Sequence, residues 1–128
     1  DVDVASGGGR PILSIFAGTP RPVPIPISMM ERHPLGAQAF MPLSDYEWLV
    51  VVAPTNADDS APDFNGLRCF RARGDQGVTY APNVWHHPLL VLQPQDFLIA
   101  DRAGPEGETG NPNLQEHWED APVAVVAV

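Results

Sequence analysis

Apolar positions in this chain fall into short runs set between turn-forming residues. Val, Ile, Leu and aromatic side chains gather near 12–16, 25–32, 37–42, 47–53, 67–73, 77–80, 84–92 and 96–101. No segment holds an apolar 3.6-residue period for three turns, and 15 prolines and 11 glycines interrupt any long helix. Short runs recurring between turn signals predict the strands of an all-β sandwich or barrel. Pro20, Pro22, Pro24 and Pro26 make an extended approach to the second strand, which places it at an edge or an end. Segments 58–65, 73–75 and 93–95 read as loops. Residues 104–113, rich in Gly, Pro, Glu and Asn, read as mobile or ordered by a partner. The expected organisation is one barrel domain over 1–103 and an acidic C-terminal tail over 104–128, with no internal repeat.

Alternation along a strand assigns faces. Glu31 and His33 share one face and Arg32 takes the other, pointing outward. Along the strand at 84–92, His86 and Leu90 share a face, and Trp85 and His87 share the opposite one. Only one histidine of that pair can then point into a barrel, and periodicity does not choose between them.

A length of 128 residues fits one domain with a modest core. The longest apolar run, Trp48 to Pro54, is strand-sized, so no membrane span is expected. The first residues carry no secretory signal pattern, and the start at Asp1 leaves open a segment before them. The single cysteine, Cys69, rules out an internal disulfide framework and a multi-thiolate zinc site. Its alternating surroundings, Leu67 to Arg71, predict a small buried hydrophobe. The lack of disulfides fits a reducing, cytoplasmic setting.

Sixteen acids against seven bases give a net charge of −9, which excludes nucleic acid and anionic membranes as partners. All seven bases are arginine, so a Schiff-base lysine and a phosphate-loop lysine are both excluded. His, carboxylate, Tyr and Arg remain as the chemical toolkit. The acids crowd into 58–63 and 106–120, which read as a solvated loop and a solvated tail.

Two polar clusters interrupt strand-like runs. One is Glu31-Arg32-His33-Pro34-Leu35-Gly36-Ala37-Gln38-Ala39-Phe40. The other runs from Gln76 through Tyr80 to Trp85-His86-His87-Pro88. Together they hold three of the four histidines and one of the two tyrosines. They read as two walls of one small pocket. Taken singly, His33 before Pro34 reads as a structural histidine, and His86-His87 fits a core polar group as well as a site. Trp48 and Trp85 read as core, His117 as exposed and idle, and Asp101-Arg102 as an ion pair at a strand end.

The spacing of these clusters resembles a modified pair of cupin motifs. Glu31-x-His33 stands where cupins carry H-x-H, and Gln38 stands where they carry a glutamate. Ala81-x-Asn83-x2-His86 keeps the second motif's spacing to its histidine. The resemblance selects His86 as the inward histidine and implies a set of Glu31, His33, Gln38 and His86 inside a cupin-like, jelly-roll barrel. More specifically, the chain resembles the ureidoglycolate lyase family. Blocks 31–42, 48–53, 76–80, 84–89, 96–98 and 101–102 carry this resemblance, which is colinear from about 12 to 102. The family pattern has Asn at Thr79 and Gly at Asn83, departures at an expected pocket rim, and members carry residues upstream of Asp1.

That resemblance implies cleavage of ureidoglycolate to glyoxylate and urea in purine degradation. The substrate carbon bears a hydroxyl and a urea nitrogen, so elimination needs a base on the first and an acid on the second. By resemblance, His86 or His33 is the base, Tyr80 or the other histidine assists departure of urea, and Glu31 orients a histidine or holds a metal. Gln38, His87 and Arg102 (or, less favoured, Arg32) would bind the substrate's polar groups and carboxylate. Glu31, His33, Gln38 and His86 would be the ligands of a divalent metal, nickel by family resemblance, if one is bound. A homodimer is expected because an open barrel leaves strand edges to cover. Two other readings stay open: a cupin enzyme acting on another small hydroxy or keto acid, and a non-catalytic small-molecule binder.

Overall fold

The computed structural model describes residues 7–128, and among them twelve strands and one 3₁₀ turn over Phe64–Gly66 make up the regular structure. The strands are β1 (Arg10–Gly18), β2 (Ile25–Ile27), β3 (Met29–Arg32), β4 (Gln38–Pro42), β5 (Trp48–Ala53) and β6 (Arg68–Ala72). They continue with β7 (Val78–Tyr80), β8 (Trp85–His86), β9 (Leu90–Val91), β10 (Gln95–Ala103), β11 (Gln115–Trp118) and β12 (Ala124–Val126). Pairing is antiparallel throughout. One sheet has the order β1-β10-β4-β7; the other has β11-β3-β8-β5-β6, with β9 also on β5; and β2 pairs with β12. This is the all-β, cupin-like sandwich that the apolar pattern and the resemblance led us to expect.

Between the two main sheets lies an apolar interior of Phe40, Trp48, Val50, Tyr80, Val91, Phe97 and Ile99, with Ala72 closing one side. A second core of Ile25, Ile27, Met30, Leu49, Val51, Trp85 and Leu90 covers the opposite face of the β3–β8–β5 sheet. β5 is therefore buried on both faces, which is why Trp-Leu-Val-Val-Val-Ala is an unbroken apolar run rather than an alternating one. Ala124 and Val126 of β12 pack against this second core.

Four expectations change. The strand foreseen over 25–32 divides at Ser28, because β2 and β3 pair with different partners, β12 and β11. The strand foreseen over 84–92 breaks at His87-Pro88, because proline cannot continue the ladder. The break resets the alternation, so Leu90 joins Trp85 in the outer core rather than sharing a face with His86. Cys69 is exposed rather than buried, since β6 is the edge strand of its sheet. Residues after 104, read as a tail, supply β11 and β12, and Asn113 is hydrogen-bonded to Leu35.

Arg32 does take the face opposite Glu31, but that face is not solvent. Its guanidinium stacks over Trp85 at 4.5 Å, donates to Gln115 at 2.7 Å and pairs with Asp59 at 2.6 Å. The acidic loop at 58–63 is thus partly a structural clamp on a buried cation.

Candidate active site

The alternation that builds the apolar interior also ends it at a polar patch. Along β4 the inward series runs from Phe40 to Gln38, and along β10 from Phe97 and Ile99 to Asp101. Tyr80 of β7 lies in register with Gln38. From the facing sheet, Glu31 of β3 lies in register with His86 of β8. His33 follows directly on β3. The turn at 81–84 holds the two walls together: the Asn83 amide donates to the His33 carbonyl at 3.0 Å. Asn83 has φ of 66°, a conformation natural to glycine and tolerated by asparagine, so its departure from the family's glycine leaves the turn intact. Thr79 points away from Tyr80 and is exposed, outside this pocket.

Glu31, His33 and His86 converge. The Glu31 carboxylate lies 3.6 Å from Nε2 of His86 and 3.9 Å from Nε2 of His33. Each imidazole is anchored through its other nitrogen: Nδ1 of His33 to the Asn113 carbonyl at 2.8 Å, and Nδ1 of His86 to the Val84 carbonyl at 2.9 Å. A carbonyl only accepts, so both Nδ1 atoms carry the hydrogen in the neutral rings and both Nε2 atoms present lone pairs. These lone pairs face a carboxylate, and neither Nε2 has a hydrogen-bond partner. Three opposed acceptors within 4.8 Å of one another, on rings oriented by carbonyls, fit a divalent cation. Two imidazoles and one carboxylate suit borderline metals.

Around this triad the remaining groups are arranged by packing. Tyr80 stacks flat on His86, with centroids 4.0 Å apart and planes within 8°. Gln38 donates from Nε2 to Asp101 at 3.1 Å, leaving its Oε1 and the other Asp101 oxygen buried and unpartnered. His87 is buried, with Nδ1 on the Pro88 carbonyl. A cavity of about 460 Å³ opens onto Glu31 and Gln38, with Phe16, Phe40, Arg21 and Leu89 among its walls. A larger one of about 600 Å³, between the edges of β6 and β7, is lined mainly by Val50, Val52, Phe70 and Val78 and holds none of the triad.

Burial shapes the titration of these groups. It pushes the His86 imidazole down to about 4, opposed by the Val84 bond and reinforced by the charges of His33 and His87. Burial also lowers His87 and raises Glu31. The Tyr80 phenol is held above its ordinary value by burial and by the Glu31 charge, so it keeps its proton. Between about pH 6.5 and 4 the unfolded chain takes up a proton at residue 86 that the folded chain refuses. Stability therefore falls as pH drops through that window, by roughly 3 kcal/mol from this residue alone. His87 adds to the loss and Glu31 opposes it. Urea denaturation of chelator-treated protein from about pH 7 to about 4.5 should show this decline, and His86→Gln should flatten it.

Of the residues singled out in the sequence, Glu31, His33, His86, Tyr80 and Gln38 meet here, and His87 lies close behind His86. Arg102 does not. It projects from the opposite face of β10 to Asp101, with a nearly inaccessible side chain paired to Glu108 at 2.9 Å. The expected Asp101-Arg102 ion pair is replaced by two separate contacts, Asp101 to Gln38 and Arg102 to Glu108. Asp101 was legible as a site residue from alternation with Phe97 and Ile99. Asn113 carried no such signal. His117, read as idle, is half-buried, 3.1 Å from Glu119 and beside Phe64.

The family model described as ureidoglycolate lyase matches residues 1–126. A ureidoglycolate lyase from Agrobacterium fabrum (strain C58 / ATCC 33970) is 51% identical over 124 residues, covering 96% of this chain and 69% of that protein. One from Burkholderia mallei (strain NCTC 10229) is 46% identical over 130 residues, covering 98% and 74%.

Proposed function

The chain belongs to the ureidoglycolate lyase family, and from that premise we propose that it splits ureidoglycolate into glyoxylate and urea at the Glu31–His33–His86 centre. The observation that carries this reading is the convergence of two buried, unpartnered imidazole lone pairs on one carboxylate, beside a phenol that keeps its proton. The reaction breaks one C–N bond: the hydroxyl of the hemiaminal carbon gives up its proton, the carbon–oxygen bond becomes a carbonyl, and the departing urea nitrogen gains a proton. No covalent intermediate with the protein is needed, which suits a chain without lysine.

Each group has a place in that scheme. Oε1 of Glu31 and Nε2 of His33 and His86 would hold a divalent cation, nickel being the one the family resemblance points to. Such an ion supplies Lewis acidity that lowers the pKa of a nearby hydroxyl. If the same atoms hold none, the Nε2 lone pairs take the hydroxyl proton directly. Tyr80 is the donor toward the leaving nitrogen, fixed by its stack on His86. Gln38, held by Asp101, turns an acceptor toward the ureido N–H groups. Phe16, Phe40 and Leu89 restrict water at the mouth.

The test is product release from racemic ureidoglycolate, with and without chelator. We expect urea and glyoxylate in equal amounts, lost on chelation and restored by Ni²⁺. Release that survives chelation assigns the triad to proton transfer instead. Ammonia and carbon dioxide in place of urea would refute the elimination.

A further inference from the structure

Building on the lyase reading, we propose that Arg21 receives the carboxylate of the substrate, presented over the cavity by a proline-braced strap. The cavity that opens onto Glu31 and Gln38 is lined by one arginine, and it is Arg21. All the chain's side-chain cations apart from histidine are arginines, and most of the others are committed elsewhere. Arg32 pairs with Asp59, Arg71 with Glu47, Arg73 with Asp75 and Arg102 with Glu108. Among the described residues, no carboxylate is paired with Arg21.

The backbone explains how an exposed arginine can be a defined binding group. Residues 19–22 read Thr-Pro-Arg-Pro. Each proline fixes its own φ and drives the residue before it into extended backbone, so Thr19 and Arg21 are both constrained. Thr19 lines the same cavity. This gives a purpose to the proline run whose spacing stood out in the sequence: only β2 continues it into a strand, and the stretch before β2 is the cavity's rim.

The polarity of the cavity sets the orientation. Its inner polar groups are the Glu31 carboxylate and Gln38, whose Oε1 has no hydrogen-bond partner, and the two Nε2 lone pairs lie behind Glu31. Donor-rich hydroxyl and ureido groups are drawn inward, and an anionic carboxylate is left at the mouth, where a guanidinium offers two parallel N–H bonds. Substrates of the same size without a carboxylate would lose that anchor.

The test uses Arg21→Gln and Arg21→Lys in the full chain, with two readouts. Calorimetric titration with glyoxylate, the carboxylate product, is expected to show binding about 10- to 100-fold weaker in Arg21→Gln, with a smaller loss in Arg21→Lys. KM for ureidoglycolate should rise by a similar factor while kcat is largely kept. Unchanged glyoxylate binding and unchanged KM in a folded Arg21→Gln protein would overturn the proposal, even with wild-type lyase activity intact. Conversely, Arg21-dependent glyoxylate binding in a wild type that releases no urea would uphold the anchor and defeat the lyase reading. Because Arg21 is exposed, circular dichroism suffices to confirm that the variants fold.

Discussion

Replacing His86 by alanine should lower kcat for urea release by about 10²- to 10⁴-fold, because its Nε2 either helps hold the cation or takes the hydroxyl proton itself. The loss follows from three features of one side chain. Its Nε2 is buried without a hydrogen-bond partner and lies 3.6 Å from Glu31. Its Nδ1 is committed to the Val84 carbonyl, which fixes the tautomer. Its ring is the surface on which Tyr80 stacks, so removal also frees the proposed proton donor. The fold should survive: the variant loses a stacked pair worth about 0.5–1.5 kcal/mol and some packing, but it also loses a buried orphan acceptor. Steady-state urea release alongside urea denaturation reads both quantities. A folded His86→Ala enzyme that kept more than about a tenth of wild-type kcat would remove His86 from the chemistry.

The second large effect concerns stability. Trp48→Ala should cost about 3–5 kcal/mol, a large part of the 5–15 kcal/mol typical of a domain. Trp48 is 1% exposed and sits where the two sheets meet. It makes an edge contact with Phe97 at 5.0 Å and a tilted one with Phe40 at 6.4 Å. Its indole donates to the Gln76 carbonyl at 3.2 Å, tying β5 to the loop before β7. Trp48→Phe should recover much of the packing but not that bond. Trp118→Ala is the contrast, because Trp118 is 65% exposed and its removal should shift stability by less than about 0.5 kcal/mol. Equal denaturation midpoints for Trp48→Ala and Trp118→Ala would contradict the placement of the core.

The legibility of this chain divides along physical lines. Short apolar runs between turn signals are a local property, and they located β1, β4, β5, β6, β7 and β10, while period-2 alternation put Glu31 and His33 on one face. Alternation is just as local. It failed where proline reset the register, at His87-Pro88. It failed also where a second layer covered a face that a single sheet would leave wet, as at Arg32. The second layer was announced by the two-sided apolar run Trp48–Ala53, but its identity was not. Over β5 it comes from Ile25 and Ile27 with Ala124 and Val126, and over Arg32 from Asp59 and Gln115, partly from behind a segment rich in Gly, Pro and Glu that dominated the reading of the tail. Composition describes what a segment would do alone; pairing with β2 and β3 depends on partners far away in the sequence. The convergence of Glu31, His33 and His86 was legible through the resemblance to cupin motif spacing. The burial of Arg102 against Glu108 was not legible, since length and charge make it and Arg21 alike in the sequence.

The register of β1 against β10, Arg10 opposite Ala103, has a consequence for how the chain is made. Contacts between segments so far apart in sequence close large loops before they return any energy, so folding is slow relative to chains built from local pairs. A ribosome that has released the first half of this chain has released β1, β3 and β5 without β8, β10 or β11, the strands they pair with. The apolar run at 48–53 then lacks its pairing strands β6, β8 and β9, and apolar surface left open in this way is what chaperones capture during synthesis. A premature stop between residues 86 and 112 gives an unfinished barrel with an unanchored His33, not a shorter enzyme.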